Sequence, residues 1–330
     1  MANASVQQVR GVPRWLVHLI MILIFLLGTA LFLFSYLFLK SPESLLTPLT
    51  GAVDQGSRPQ FMIYGTFGEG QFKKPLDVTV MNERIYVSDS NNHRIQVFDY
   101  DGNFIKRFGT QGYGEGELQF PYGIVGDGNG QLYVADLYRG NISIFDRDGN
   151  FLKYFDDGGV LDGPGDLVIK DNKLYVTDIN KSQVFVFDLD GKKLLEVGES
   201  GRSPGQLLAP NGITVDDQGN MYVVDTGNGR VEIFDAQGKL VKAFNGAPQG
   251  QPSVMVNPRG IGIRGDKLYV VSNLTHIVYT FSLDGERLDE SFGEMGSMDN
   301  QFILPNGLFI DDNGRIYITD TANLRVAVWQ

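Results

Sequence analysis

Asp77, Asp166, Asn211 and Asn306 share one recurring place in the sequence: each lies one or two residues after a proline, at Pro75, Pro164, Pro210 and Pro305. Six such prolines occur, and the pairs that come after them are Leu76-Asp77, Tyr122-Gly123, Gly165-Asp166, Asn211-Gly212, Arg259-Gly260 and Asn306-Gly307. Carboxylate and amide oxygens are hard ligands. Brought together, they suit a calcium ion, with Asp77 and Asp166 as its charged ligands, or a small polar solute. The structural alternative is a solvated channel filled by ordered water.

The repeat around each proline is what must bring these residues together. It reads Pro-x-Gly-Ile-x-Val, a short turn, Tyr-Val-x-Asp, Arg-Val-x-x-Phe-Asp, a Gly turn, then a strand ending Phe-Gly. The tyrosine recurs at Tyr86, Tyr133, Tyr175, Tyr222, Tyr269 and Tyr317, about 45 residues apart. Each unit predicts four short strands, with Asp-Gly hairpins such as Asp101-Gly102 and Asp148-Gly149 joining the third to the fourth. A lone four-stranded unit cannot bury its own faces, so units of this length stack radially into an all-β, six-bladed propeller. The residues after each proline open the innermost strand, at one mouth of the central channel.

The sixth unit stops at Trp329-Gln330, after its third strand. The missing strand is supplied from the other end of the chain, where Tyr64-Gly65-Thr66 echoes Phe108-Gly109-Thr110. Residues 60–67 are therefore expected to pair with 325–329 and leave no open edge. The proline-to-tyrosine distance alternates 11, 12, 11, 12, 11, 12, which implies a two-blade unit repeated three times.

The pattern Tyr86-Val-Ser-Asp89-Ser-Asn-Asn92-His-Arg94-Ile-Gln-Val-Phe98-Asp99 resembles the NHL repeat, and Tyr222–Asp235 and Tyr317–Trp329 match it as well. The resemblance extends over about 270 of the 330 residues. It implies a six-bladed propeller used as a binding platform, in settings from sensor ectodomains to RNA-binding ubiquitin ligases, and fold alone does not choose among them. Gluconolactonase-like propellers similarly set acidic and Asn ligands on the axis, which keeps a metal-dependent lactonase- or lyase-like enzyme as the alternative.

Several chemistries are excluded. Cys is absent, so there is no thiol catalysis, disulfide or thiolate metal site. The three histidines are His18, in an apolar run, and His93 and His276, in equivalent loops of distant blades. They do not supply the three convergent ligands of a catalytic zinc site, on which related amidating lyases look as though they depend. No Gly-x-Ser-x-Gly elbow, phosphate loop or dinucleotide fingerprint occurs. The reading is a noncatalytic module with no catalytic residues, and calcium as the one candidate cofactor.

The recurring tyrosines, the ring Phe98, Phe145, Phe187, Phe234, Phe281 and Trp329, and the Asp89–Arg94-type pairs read as packing and loop support. Candidate contacts lie instead on the face carrying the long loops, the top: Tyr113, Tyr122, Tyr138, Arg139, Arg259 and Met298, with Asn211 and Asn306 at the channel mouth.

Residues 15–39 carry no Asp, Glu, Lys or Arg. As a helix they span roughly 37 Å, enough to cross a membrane with tilt. Leu31-Phe32-Leu33-Phe34 come directly after the small-residue triplet Gly28-Thr29-Ala30, so the segment reads as a retained signal anchor. Arg10 and Arg14 place the tail 1–14 in the cytoplasm and the propeller, residues 59–330, outside it, beyond a stalk at 40–58. Setting aside Arg10, Arg14, Lys40, Arg58, Glu43 and Asp54 leaves 24 basic and 37 acidic residues on the propeller, a net charge of −13. An acidic domain repels polyphosphate, so no nucleic-acid partner is expected.

Overall fold

The computed structural model describes residues 59–65 and 68–330. The expected anchor and stalk lie outside the described residues, among which no helix is long and apolar enough to cross a membrane. The described chain forms six antiparallel sheets arranged as a six-bladed propeller. The first blade shows the pattern: Pro75–Met81 on the axis, then Arg84–Asp89, Arg94–Asp99 and Phe104–Phe108 outward.

The ring closes as the sequence implies. Phe61–Ile63 pairs antiparallel with the last strand, with Phe61 opposite Val328 and Ile63 opposite Val326. The closing strand enters at the hairpin face, where Phe61 lies against Gly102 and the Arg315 guanidinium. All six recurring tyrosines are buried, as are the five phenylalanines and Trp329. These rings fill the layers between blades.

Alternation of odd and even blades has a backbone cause. Odd blades turn from first to second strand through two residues, and Asn82 and Glu83 (φ 50° and 59°) and Asp171 and Asn172 (49° and 55°) are both left-handed. That is the two-residue hairpin whose twist matches its strands. Even blades use a longer turn in which Asp127, Asp216 or Asp311 accepts the amides two and four residues on. The extra residue is the twelfth of the count.

One expectation fails. Blade 5 has three strands, not four. Between its hairpin glycine, Gly285, and the closing Phe292 stands one residue more than between Gly102 and Phe108. Side chains alternate with period two, so a single insertion cannot be absorbed in a regular strand. The segment instead touches the third strand at Phe281–Arg287 and Val278–Phe292 and bulges between them.

At the axis the blades approach backbone to backbone. A Cβ on Gly123 would lie 2.2 Å from the Gly165 carbonyl oxygen, and one on Gly212 2.2 Å from that of Arg259. Glycine is therefore a steric requirement of the even blades.

Closure by the first strand is testable in the full chain. Ile63 is 2% exposed, so Ile63→Asp should cost about 3 kcal/mol or more by burying a carboxylate without a partner. Denaturant unfolding should show it against the exposed control Leu194→Asp. Equal stability of the two variants would remove the closing strand from the account.

Candidate functional site

The top face is built from buried carboxylates. Asp89, Asp136, Asp178, Asp225 and Asp320 are each 0% exposed at the end of a second strand. Each accepts the backbone amide two residues ahead of the repeat proline: Lys73, Gln119, Asp162, Leu208 and Ile303. In blade 5 the Ser272 hydroxyl takes the same role for Val256. The carboxylate thus pins the incoming loop to its blade.

Arginine completes the clamp. Arg230 bonds Asp225 and donates to the carbonyls of Arg202, Ser203 and Gln206. Arg325 bonds Asp320 and donates to Ser297, Met298 and Gln301. Blade 2 has Asn141 at this position, yet Arg139 reaches the matching carbonyls of Tyr113, Gly114 and Glu117. Its guanidinium also lies 5.0 Å from the Tyr154 ring. Arg139 is therefore committed to holding a loop.

The three even blades consequently receive loops of one conformation, each closed by a bridge: Gln111 to Leu118, Ser200 to Leu207 and Met295 to Phe302. Their tips are exposed, with Tyr113 at 74% and Met298 at 68%. Tyr138 is 68% exposed and stacks on Phe120 with centroids 4.5 Å apart, while Lys74 lies over the Phe120 ring at 5.1 Å. His93 Nδ1 meets the Gln119 carbonyl and His276 Nδ1 accepts the Leu304 amide, so both histidines support loops.

The remaining sequence candidates converge on the axis. Tyr122 (8% exposed) and Asn211 (4%) are buried and turned toward each other, the Tyr122 hydroxyl donating to Asn211 Oδ1. Arg259 Nη1 donates to the same oxygen at 2.8 Å. This trio, from blades 2, 4 and 5, narrows the mouth to a cavity of about 10 Å³ shared with Asp77, Asp166 and Asn306. Its Tyr and Asn are thus part of a plug, not of the exposed surface.

Beneath lie the two aspartates. Asp77 Oδ2 accepts the Ile124 amide of blade 2, and Asp166 Oδ2 accepts the Ile213 amide of blade 4, so each ties an odd blade to the next. Burial, and then the neighbouring Asp166 charge, push Asp77 well above the usual carboxylate range. Burial pushes Asp166 up to about 7. Calcium requires six to eight oxygens. Here the carboxylates already accept amides, Asn211 Oδ1 is taken by Tyr122 and Arg259, and among the described residues no group of three His, Cys, Asp or Glu could hold a metal. The donor set does not fit that ion.

Sequence reasoning passed over Glu232, 0% exposed, which pairs with Arg230 at 2.7 Å and accepts the Gly205 amide. Burial pushes it up to about 7. The signal was available, since Gln96 fills the same place in blade 1 and bonds the Gly70 carbonyl.

The acid pair sets a pH dependence. Its folded-state values lie above the unfolded ones, so the folded protein holds protons that the unfolded chain releases. The resulting stability is full below about pH 4 and is lost as pH rises through about 7. Asparagine keeps an oxygen for the amide and cannot ionise. Asp166→Asn should therefore gain stability relative to wild type between pH 5 and 8, on the order of 1–3 kcal/mol. Parallel pH profiles of melting temperature for the two proteins would refute the assignment.

Comparisons with known proteins agree with this architecture. The NHL-repeat pattern matches residues 72–98 and 302–329, and a family described as a 6-bladed beta-propeller matches 156–245. A stretch of 69 residues is 46% identical to the protein brain tumor of Drosophila melanogaster, covering 19% of this chain and 7% of that protein. The chain thus spans about 7% of the length of this curated relative. Virginiamycin B lyase from Staphylococcus aureus superposes with a TM-score of 0.56 and 14% identity, over 82% of this chain and 98% of that one. An auxiliary nutrient binding protein from Bacteroides thetaiotaomicron gives 0.60 and 14%, over 82% and 75%. At these identities the structural likeness speaks for fold alone. On the repeat matches and the closed ring of six sheets, the chain carries NHL repeats at residues 72–98 and 302–329 and folds as a six-bladed β-propeller.

Proposed function

We propose that this protein is a noncatalytic binding or sensing module, anchored in a membrane by residues 15–39 with its propeller outside the cytoplasm. A protein or small polar ligand engages the top face. The observation that carries the reading is the set of three similarly clamped loops, whose exposed tips stand on Asp–Arg or Arg supports. Rigid loops with exposed aromatic and Met side chains offer contact area at low entropic cost. Tyr113, Tyr138 and Met298 are the contacts on this reading, with Arg259 and Asn306 at the partly open mouth. The net charge of −13 speaks against a nucleic-acid partner.

A second reading, a metal-dependent lactonase- or lyase-like enzyme, draws on the buried acid pair of Asp77 and Asp166. Both acids also line the cavity of about 130 Å³ beneath the plug, which substrate would have to enter.

Two measurements test the leading reading. The chain has no Cys, so Gln237→Cys on an exposed hairpin gives a single thiol for a membrane-impermeant maleimide. Labelling in intact cells is expected, and labelling that appears only after lysis would place the propeller in the cytoplasm. Changing Tyr113, Tyr138 and Met298 together to Ala should abolish co-purification of a crosslinked partner. Loss confined to changes at hairpin residues Asp101, Asp190 and Gln237 would put the contact on the opposite face.

A further inference from the structure

The top mouth of the channel holds a cation that the fold only half satisfies. Arg259, half-buried, reaches across from blade 5, and its Nη1 donates to Asn211 Oδ1 at 2.8 Å and to the Tyr122 hydroxyl at 3.3 Å. Those bonds fix one end of the guanidinium. Its Nε is buried without a hydrogen-bond partner, and Nη2 has none either but is not buried. Arg230 and Arg325, by contrast, each meet a buried Asp and three loop carbonyls.

Arg259 also lacks a counter-ion. Among the described residues it makes no ion pair. Asp77 and Asp166 line the same mouth, but burial pushes both acids up, Asp166 to about 7, so neither neutralises it in mildly acidic solution. A guanidinium partly withdrawn from water and left uncompensated costs stability unless an acceptor meets it. A second donor lines the mouth with it. Asn306 of blade 6 is half-buried, and its side-chain amide has no hydrogen bond among the described residues. The free volume there is about 10 Å³, roughly the room one water-sized oxygen needs. One oxygen of a ligand can enter while its body stays outside.

We propose that the mouth binds the carboxylate of a small organic monoacid, held by Arg259 Nη2 and Asn306 Nδ2. Arginine donates to carboxylates in strong charge-assisted bonds, and Tyr122 and Asn211 orient this one beforehand. A monoanion matches a single cation. Phosphate brings a second charge, above two acids that themselves ionise on the alkaline side. The inference rests on the top-face reading proposed above and names the ligand chemistry of its central opening.

The test is saturation-transfer NMR of the full chain with sodium butyrate at constant ionic strength and about pH 6, where the acids keep their protons. Saturable butyrate binding is expected, and none of butyramide, its neutral counterpart. Arg259→Gln should weaken butyrate about tenfold or more, and Asn306→Ala about threefold. Arg147→Gln removes the same charge from the exposed hairpin face and should change nothing. No saturable binding of butyrate, equal binding of butyramide, or undiminished binding in folded Arg259→Gln and Asn306→Ala protein overturns the proposal. So does displacement of butyrate by inorganic phosphate at a lower concentration than by acetate. Much tighter binding of N-acetyl-trialanine than of butyrate would assign the mouth to a peptide terminus and overturn it as well. Partner capture through Tyr113, Tyr138 and Met298 is a separate readout, so the top-face reading can stand while this one fails.

Discussion

The upper surface of this propeller depends on a carboxylate that never meets water. Five aspartates with 0% exposure end their second strands and accept an amide two residues ahead of the repeat proline. An isolated buried carboxylate is costly, and it is tolerated where several donors converge on it. Asp89 meets the Lys73 amide, Asn92 Nδ2, Arg94 Nε and Gln96 Nε2. In blades 1, 4 and 6 the same carboxylate fixes an arginine, whose other side then gathers loop carbonyls. Interior electrostatics thereby determines the shape of an exterior surface: without the carboxylate the arginine has no fixed origin, and the loop has no single conformation.

Blade 5 lacks that element and is built differently. Ser272 supplies a neutral acceptor, Ile277 stands where blades 1, 4 and 6 have Arg, and the fourth strand is broken by one extra residue. The loop before this blade relies on neutral contacts, such as the Ser253 hydroxyl donating to the Gly229 carbonyl. Local opening is cheapest where backbone pairing is irregular and charged anchors are absent. Blade 5 is accordingly the first part of the ring expected to open.

Most of the fold is legible in the sequence because it repeats. Six spaced tyrosines, six prolines, an orphan strand before the first unit and a last unit one strand short leave one closed arrangement, and the 11–12 alternation reports real differences in turn geometry. Blade 5 escapes such a reading because the motif Asp284-Gly285 is intact and the fault is a single added residue in a charged stretch. The axial residues are legible for a similar reason: topology alone brings them together. Their directions are not. Arg139 looks free in the sequence because Asn141 holds the usual position, and only distance shows that a side chain starting two residues earlier reaches the same carbonyls. Tyr122 looks like a surface aromatic because sequence does not record that Asn211 faces it across the channel.

The axial aspartates separate what the ring needs from what it contains. Blades 1 and 3 carry a side chain where the even blades require glycine, and that side chain caps an amide on the next blade: Ile124 for Asp77 and Ile213 for Asp166. An oxygen acceptor is all this contact requires, and an asparagine has one. The third odd blade has Gly260 at the same place and closes without any side chain. A carboxyl group therefore adds nothing to the joint except charge and a proton, and burial makes the charge unfavourable, as the raised Asp77 and Asp166 values record. Titratable groups held against such a penalty are a feature of binding and reactive sites more than of scaffolds. The acid pair also lies where the channel narrows, between the plug and the cavity of about 130 Å³ beneath it.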